Sequence, residues 1–269
     1  MGRNPTVREG ASGRKQRAAE KPAMRTTGNP VNEPQKLDVQ VFERESVTAL
    51  LYLAPRNTRQ AVTIILGHGA GANQLSGFMR MVAGGLAARG LDVITFNFLY
   101  TERGRRLPDP KPKLESCYLA VIEAALKHKK LKGNRLVIGG KSMGGRIASQ
   151  VAAALSDSRS DISKQASISI EIDGLVFLGY PLHPPGRPEK LRAEHLKDIR
   201  PPMLFVQGAR DAFGAPDEIR TVMKLQRFKG EIFPIESGDH SFKVPKSSSV
   251  PQPQVYEVAM DKIANWLAR

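Results

Sequence analysis

The segment VIGGKSMGGRIAS, residues 137–149, runs from a short apolar stretch into small residues and then into a helical pattern. Residues 140–144 satisfy the G-x-S-x-G pattern, in which a serine occupies a strained turn between a strand and a helix. The residues around such a serine must be small so that strand and helix can approach, and Gly144 and Ala148 meet that requirement. The segment therefore predicts a nucleophile elbow with Ser142 at its tip. A glycine-lined turn with an incidental serine is the alternative.

On both sides of this segment, the chain alternates between apolar strand patterns and amphipathic helical patterns. Several strand patterns are continuously apolar, which is typical of parallel strands that are covered on both faces. We therefore predict an α/β fold, with a mostly parallel twisted sheet and helices on both faces, in one domain over residues 37–269. One of the predicted helices is RPEKLRAEHLKDI, residues 187–199.

A serine hydroxyl becomes a good nucleophile only when a base removes its proton and a third group orients that base. Of the five histidines, His240 lies between the last predicted strand and the last predicted helix, in ESGDHSF. Asp211 follows the preceding strand, in PMLFVQGARDAFG. The order Ser142, Asp211, His240 is the chain order of the α/β-hydrolase fold, so we predict these three as catalytic residues. His128 and His195 lie in charged segments and are expected in solvent.

Two other carboxylates compete with Asp211 for the role of the acid. Asp217 lies at the start of the next predicted helix, where a negative charge is explained by the helix dipole. Asp239 is next to His240 on the same loop and is the weaker rival.

The loop LGHGAGANQ, residues 66–74, directly follows another apolar strand. Acyl transfer needs two backbone N–H groups directed at the developing oxyanion, and a loop that leads into a helix can supply one of them. We assign the two donors to Ala70 and Met143, with Gly71 as the near alternative to Ala70. A plain glycine-rich turn or a phosphate loop is the competing interpretation. The loop lacks both the G-K-[ST] ending of a P-loop and the G-x-G-x-x-G spacing of a dinucleotide site.

Several side chains near these loops are candidates for binding a substrate. His68, Gly71, Lys141 and His183 are possible substrate contacts, and several basic residues suit an anionic acyl group or a phosphate-bearing carrier: Lys141, Arg146, Arg210, Arg103, Arg105 and Arg106. The alternative is that Lys141 and Arg146 bond nearby carbonyls or face solvent. We predict no metal and no cofactor. The single cysteine, Cys117, excludes cysteine-based zinc clusters and lies in an apolar helical pattern that predicts burial.

The chain carries a formal net charge of +15, and the excess is concentrated near its start. Residues 1–36 hold eight basic and three acidic residues and no aromatic residue. Such a segment cannot bury enough surface to offset its ordering entropy, so it predicts a disordered basic tail. Attraction to nucleic acid or anionic lipid is the alternative, and without aromatics for stacking we expect at most nonspecific nucleic-acid binding. With no predicted membrane span or secretory signal, we expect a cytoplasmic protein.

Six segments together resemble a known group of proteins: HGAGA, FNFLYTERGRRLPDPKP, GGKSMGGR, YPLHPPGRPEKLRAEHL, QGARDAFG and GDHSF. Over residues 60–269 the chain is similar to small α/β-hydrolases related to dienelactone hydrolase and to the testis-expressed and NSL-complex-subunit family. The resemblance implies the α/β-hydrolase fold with Ser142, Asp211 and His240 as the triad. It implies little about the substrate, and some eukaryotic relatives serve in chromatin-associated assemblies.

We therefore predict a serine hydrolase that acts on an ester, thioester or similar small-molecule acyl substrate through an acyl-enzyme. The short connection between the strands GLVFLGY and PMLFVQG leaves no room for a full cap domain, so the site should be open. The alternative is a noncatalytic interaction module that keeps the α/β-hydrolase fold. Nothing in the sequence predicts the oligomeric state.

Overall fold

The computed structural model describes residues 1–2 and 33–269. Most of the predicted basic tail therefore lies outside the described residues. The first strand begins at Gln35, two residues before the predicted start of the domain at residue 37.

One sheet of eight strands forms the centre of the described fold. The strands are β1 (Gln35–Phe42), β2 (Glu45–Tyr52), β3 (Val62–Gly67), β4 (Asp92–Phe96), β5 (Arg135–Lys141), β6 (Gly174–Leu178), β7 (Met203–Gly208) and β8 (Glu231–Ile235). Their order in the sheet is β1-β2-β4-β3-β5-β6-β7-β8. The pairs β1–β2 and β2–β4 are antiparallel, and all the others are parallel. The prediction of a mostly parallel sheet is confirmed.

Seven α-helices connect or follow these strands within the described residues. They are α1 (Gly77–Ala88), α2 (Leu99–Glu102), α3 (Lys111–Lys127), α4 (Met143–Leu155), α5 (Asp161–Gln165), α6 (Pro216–Gln226) and α7 (Gln252–Leu267). The short helices α2 and α5 were not predicted from the sequence. The helix predicted over 187–199 was wrong, because only a single 3-10 segment forms there, at Glu194–Asp198.

The helices cover both faces of the sheet, as predicted. One core contains side chains of α3, α4 and α6 together with Ile65 of β3. The other contains side chains of α1 and α7 together with Ile64 and Leu66 of the same strand. Successive residues of a strand point to opposite faces, so a continuously apolar strand such as β3 serves both cores. Cys117 is buried in the first core, as its helical pattern predicted.

The parallel strands bring their carboxyl ends to one edge of the sheet. The loops that follow β3, β5, β7 and β8 all start at that edge, and they carry the predicted site residues. In open α/β sheets, ligands bind at this edge. The connection from β6 to β7 contains only the 3-10 segment, and no cap domain is inserted there.

Candidate active site

Ser142 lies between β5 and α4 in a backbone conformation that non-glycine residues seldom adopt, with φ 51° and ψ −114°. Its N–H donates a hydrogen bond to the carbonyl oxygen of Leu178 on the neighbouring strand, at 3.1 Å. Gly144 packs directly against the end of β3, where an added Cβ would lie only 2.1 Å from the carbonyl oxygen of Gly67. A side chain at residue 144 would push the strand and the helix apart, so the glycine is needed to hold Ser142 in its strained turn.

The predicted base and acid lie beside this serine in a chain of hydrogen bonds. His240 Nε2 is 2.8 Å from Ser142 Oγ, and His240 Nδ1 is 2.8 Å from Asp211 Oδ2. Because a carboxylate only accepts, Nδ1 carries the proton and Nε2 is left to accept the serine proton. The Asp211 side chain is fully buried, whereas the imidazole is about one-fifth exposed toward the cavity. The arrangement can remove a proton from Ser142 and stabilise the imidazolium that results.

Two neighbouring residues fix the acid and the base in place through three contacts. Gln207 Nε2 donates to Asp211 Oδ2 at 2.8 Å, and the N–H of Phe213 donates to Asp211 Oδ1, also at 2.8 Å. The ring of Phe213 stacks on the imidazole of His240, with ring centroids 4.2 Å apart. Neither Gln207 nor Phe213 was predicted as a site residue. An amide on the strand that precedes the acid, and an aromatic residue two positions after it, were the available signals.

The two rival carboxylates have other roles. Asp239 Oδ1 accepts from the N–H groups of Ser241 and Lys243, at 2.7 and 2.9 Å, and so closes its own loop. Asp217 lies in the first turn of α6 and pairs with Arg220 on the same helix. Of the three candidate carboxylates, only Asp211 has a hydrogen bond to the imidazole of His240.

The loop after β3 lies against the nucleophile. A Cβ added to Gly69 would be 3.7 Å from Ser142 Cβ, and Ala70 lines the cavity in front of the serine. The N–H of Ala72 donates to the carbonyl of Gly69 at 3.2 Å, so residues 69–72 form a tight turn. Gly71 occupies the third position of this turn with φ 71°, which is typical of a type II turn, and it does not line the cavity.

Met143 is the first residue of α4 and also lines the cavity. The first i to i−4 bond of this helix runs from the N–H of Arg146 to the carbonyl of Ser142. The N–H of Met143 precedes it and belongs to the first turn, whose N–H groups have no acceptor within the helix. The helix dipole adds positive potential there, which suits a developing oxyanion.

Lys141 bonds the loop that carries the base. Its Nζ donates to the backbone carbonyl of His240 at 2.6 Å and lies 5.9 Å from the ring centroid of Phe242. Burial lowers the pKa of Lys141 to about 8, although the negative charges of Asp211 and Asp239 oppose that shift. The side chain borders the cavity, but its ammonium group is already hydrogen-bonded. The bonded-carbonyl alternative therefore describes Lys141 better than a direct substrate contact.

Two histidines proposed as substrate contacts lie elsewhere. His68 has no exposed surface, and its Nε2 accepts from the N–H of Phe98 at 3.3 Å. Its Nδ1 is 2.8 Å from the carbonyl of Gly69, so the ring supports the turn from beneath. His183 is also buried, with Nε2 2.9 Å from Glu218 Oε2, and it joins the loop after β6 to α6. Neither lines the cavity, so these two predictions are corrected.

His195 was expected in solvent and is instead partly buried, with Nε2 2.8 Å from Ser149 Oγ. The serine hydroxyl donates to the carbonyl of Arg146 at 2.7 Å, so it accepts from the imidazole and keeps its own proton. Burial, followed by the positive charges of Lys111 and Arg146, lowers the pKa of His195 to about 4. This second serine–histidine contact therefore has a weak base and is suited to packing rather than to nucleophilic chemistry.

A cavity of about 820 Å³ opens in front of Ser142, His240 and Ala70. This volume lies within the range of small-molecule sites in proteins. Its walls are largely apolar, with side chains contributed by Phe78, Met79, Met81, Leu114, Met143, Ile147, Phe213 and Tyr256. Such walls would hold the hydrocarbon part of an acyl group beside the nucleophile.

Of the basic residues proposed to bind an anion, only Lys141 and Arg146 border this cavity. Arg210 donates to the carbonyl of Ser237, and Arg106 is exposed away from the cavity. Arg103 and Arg105 are paired with the carboxylates of Glu45 and Asp109, respectively. Sequence reasoning missed three other basic residues in the cavity wall, which are Lys111, Arg192 and Lys243.

Residues 60–268 match the family model described as an alpha/beta hydrolase domain, which is more than half of the chain. The chain belongs to this family. The predicted relation to α/β-hydrolases and the predicted fold are therefore confirmed, whereas the finer resemblance to testis-expressed and NSL-complex-subunit proteins stays a prediction.

Solved structures of α/β-hydrolases superpose on nearly the whole chain. A serine hydrolase without a lid from Xanthomonas campestris is 19% identical, with a TM-score of 0.64, and the match covers 88% of this chain and 98% of that one. Dienelactone hydrolase from Anabaena variabilis is 19% identical, with a TM-score of 0.60 and coverage of 86% and 97%. An esterase from Pyrococcus furiosus is 14% identical, with a TM-score of 0.62 and coverage of 87% and 90%. At these identities the likeness establishes the fold alone.

The described residues contain neither a membrane-spanning helix nor a cluster of metal ligands. No helix among them is both long enough and apolar enough to cross a membrane. Within the same residues, no three side chains of His, Cys, Asp or Glu are grouped so that they could hold a metal ion.

Proposed function

We propose that this α/β-hydrolase domain is a serine hydrolase that cleaves a small ester, thioester or similar acyl compound through an acyl-enzyme. The observation that carries the proposal is the hydrogen-bonded chain from Ser142 to His240 to Asp211, with both contacts at 2.8 Å. The strained backbone of Ser142 and the cavity in front of it add support, because a serine held by packing alone needs neither.

The reaction begins when His240 takes the proton of Ser142 while the serine oxygen attacks the acyl carbon. The bond between that carbon and the leaving group breaks, and the imidazolium gives its proton to the leaving group. The N–H groups of Ala70 and Met143 stabilise the negative charge on the carbonyl oxygen during attack. Loss of one such donor typically raises the barrier by about 3–4 kcal/mol. In the second step, water loses a proton to His240 while its oxygen attacks the acyl carbon. The bond between that carbon and the Ser142 oxygen breaks, and the imidazolium returns the proton to Ser142 as the acid leaves.

The open cavity suits acyl substrates with varied leaving groups. No cap covers the cavity in the described residues, so substrates can reach Ser142 without movement of a lid domain. The apolar walls favour substrates with a short to medium hydrocarbon chain. A cytoplasmic location stays a prediction, and so does nonspecific attraction of nucleic acid to the basic tail.

Labelling with a fluorophosphonate probe tests the proposed activity, because the probe reacts covalently with an activated serine. We expect the wild-type chain to be labelled and Ser142→Ala to be unlabelled at unchanged circular dichroism. Ser149→Ala is the matched control, because it removes a hydroxyl that also contacts a histidine, on the same helix. We expect this control to be labelled.

A wild-type chain that is folded but unlabelled would overturn the proposal and would favour the noncatalytic interaction module. If labelling persists in Ser142→Ala and disappears in Ser149→Ala, the reactive serine is Ser149, and the proposal is also overturned.

A further inference from the structure

Three basic side chains form one end of the candidate active-site cavity. They are Lys111 in the first turn of α3, Arg146 in the second turn of α4, and Arg192 on the connection from β6 to β7. The same three residues line a neighbouring cavity of about 980 Å³ that continues along α4. We call Lys111, Arg146 and Arg192 the basic cluster. It lies at the junction of the two cavities.

Within the part of the chain that the structure describes, the guanidinium groups of Arg146 and Arg192 have no protein partner. Among residues 33–269, neither guanidinium donates a hydrogen bond or forms an ion pair, and Arg146 Nε is buried without an acceptor. A buried charged donor without an acceptor is costly in a folded protein and calls for a ligand or another role. Arg146 lines both cavities, so its guanidinium lies beside the region that a substrate would enter.

The basic cluster also creates an excess of positive charge. Burial, followed by the charge of Arg192, lowers the pKa of Arg146, although Tyr180 and Glu115 act in the opposite direction. The carboxylate of Glu115 is already paired with Lys111, at 3.5 Å. The lining of the active-site cavity contains one carboxylate, Asp109, which is paired with Arg105, and the neighbouring cavity adds Asp157, Glu194 and Asp198. Basic residues still outnumber the carboxylates in both linings, so an anion would relieve the remaining repulsion.

The basic cluster is close to the nucleophile. Arg146 follows Ser142 by four residues on α4, so the two lie on one face of the helix, about 6 Å apart along its axis. Met143 and Ile147 line the apolar part of the same cavity. A substrate whose acyl carbon is at Ser142 could therefore extend a short hydrocarbon chain along these residues and end at the guanidinium groups.

We propose that the basic cluster of Lys111, Arg146 and Arg192 binds an oxyanion group, a carboxylate or a phosphate, at the far end of the acyl substrate. This inference rests on the proposed hydrolase function and names the substrate class of the same site. Arginine is suited to the task because its planar guanidinium donates two parallel hydrogen bonds to a carboxylate or a phosphate.

A pair of synthetic esters that differ only in the charge at the end of the acyl chain tests the proposal. The charged member is mono-4-nitrophenyl adipate, and the neutral member is its methyl ester. Hydrolysis adds one water to each, breaks the bond between the acyl carbon and the phenol oxygen, and releases 4-nitrophenol and the free acid. The 4-nitrophenyl ester of 5-phosphonopentanoic acid forms the third arm and distinguishes a phosphate-like group from a carboxylate.

We expect kcat/KM for one of the anionic esters to exceed that for the neutral ester by about tenfold or more, as one charge-assisted hydrogen bond would give. In the double variant Arg146→Gln, Arg192→Gln, the ratio of charged to neutral kcat/KM should fall toward one. Arg80→Gln is the matched control, since Arg80 is exposed on α1 and does not line the cavity. Its ratio should equal that of the wild type. A ratio near one in the wild type, or an unchanged ratio in the double variant, would overturn the anionic subsite.

A binding measurement separates failure of this inference from failure of the hydrolase proposal. Monomethyl adipate and inorganic phosphate are titrated by calorimetry into Ser142→Ala, which cannot turn over, with dimethyl adipate as the neutral reference. We expect the Ser142→Ala variant to bind one of the two anions and to lose that binding when Arg146 and Arg192 are also replaced. If neither anion binds although the wild type is labelled by the fluorophosphonate, the subsite is refuted and the hydrolase stands. If the anion binds although Ser142 is never labelled, the subsite stands and the hydrolase is refuted.

Discussion

Lys141→Met should change how the stability of the protein depends on pH. Methionine keeps much of the length of the lysine side chain but has neither its charge nor its hydrogen-bond donors. In the wild type, burial lowers the pKa of Lys141 from 10.5 to about 8, and its Nζ donates to the carbonyl of His240. The folded protein therefore gives up this proton at a lower pH than the unfolded chain does.

The direction of the effect follows from the number of bound protons. Between pH 8 and 10.5 the unfolded chain binds more protons at Lys141 than the folded protein does, so this residue makes stability rise with pH in that window. Well below pH 8 the lysine is protonated in both the folded and the unfolded state, so Lys141 then adds no pH dependence to the stability. With these pKa values, the free energy of unfolding should gain about 2 kcal/mol from Lys141 between pH 7.5 and 9.5. The variant Lys141→Met lacks this gain.

Urea unfolding of the wild type and of Lys141→Met at pH 7.5 and 9.5 measures the effect. All other groups titrate in both proteins, so the difference between their unfolding free energies isolates Lys141. Lys224→Met is the matched control because Lys224 is exposed on α6, and this variant should follow the wild type at both pH values. If the unfolding free energies of Lys141→Met and the wild type change by the same amount between pH 7.5 and 9.5, the lowered pKa assigned to the buried Lys141 is wrong.

Three further predictions concern the geometry of the site. Gly144→Ala should lower the free energy of unfolding by more than about 3 kcal/mol, because its Cβ would meet the backbone of β3 at 2.1 Å. Gly84→Ala is the control: Gly84 lies in open space on α1, so this variant should raise the free energy of unfolding by up to about 1 kcal/mol. Thermal melting of both variants measures the difference. Asp211→Asn should lower kcat on 4-nitrophenyl acetate by about 100-fold or more, because it disturbs the tautomer of His240. Asp239→Asn should lower kcat by less than about tenfold, since Asp239 bonds only its own loop. Equal losses in the two variants would contradict the assignment of Asp211 as the acid. His195→Gln should keep fluorophosphonate labelling, and a folded variant that loses labelling would show that the second serine–histidine contact takes part in the chemistry.

The sequence predicted the sheet edge and the three residues that meet there because both depend on simple patterns. Parallel strands place their carboxyl ends together, so a serine after β5, an aspartate after β7 and a histidine after β8 must converge if those strands are neighbours or nearly so. The register of the sheet then brings Ser142, Asp211 and His240 into two hydrogen bonds of 2.8 Å each. The periodicity of the strands and helices and the chain order of the three residues were sufficient to predict this part of the site.

The sequence could not show which way the loop histidines point. His68 and His183 both follow strands at the correct edge, which is why they were proposed as substrate contacts. The direction of each ring is decided by distant partners, namely the N–H of Phe98 for His68 and the carboxylate of Glu218 for His183. A buried imidazole needs such partners, and they are separated from it by 30 and 35 positions along the chain. Local pattern carries no information about contacts of that kind.

The wrong helix over 187–199 and the missed Arg192 have one cause. Ala193, Leu196 and Ile199 are the buried residues of this segment, and they recur every three positions, which is the period of a 3-10 turn rather than of an α-helix. The carbonyl of Arg192 accepts from the hydroxyl of Tyr180 at 2.7 Å, and its N–H donates to Leu182 at 2.8 Å, so the backbone is fixed just before the turn begins. With its neighbour Ala193 buried in the core, the side chain of Arg192 borders both cavities. The short connection that takes the place of a cap therefore supplies a residue of the basic cluster, and the substrate preference proposed for this site depends on a segment that helical periodicity misassigns.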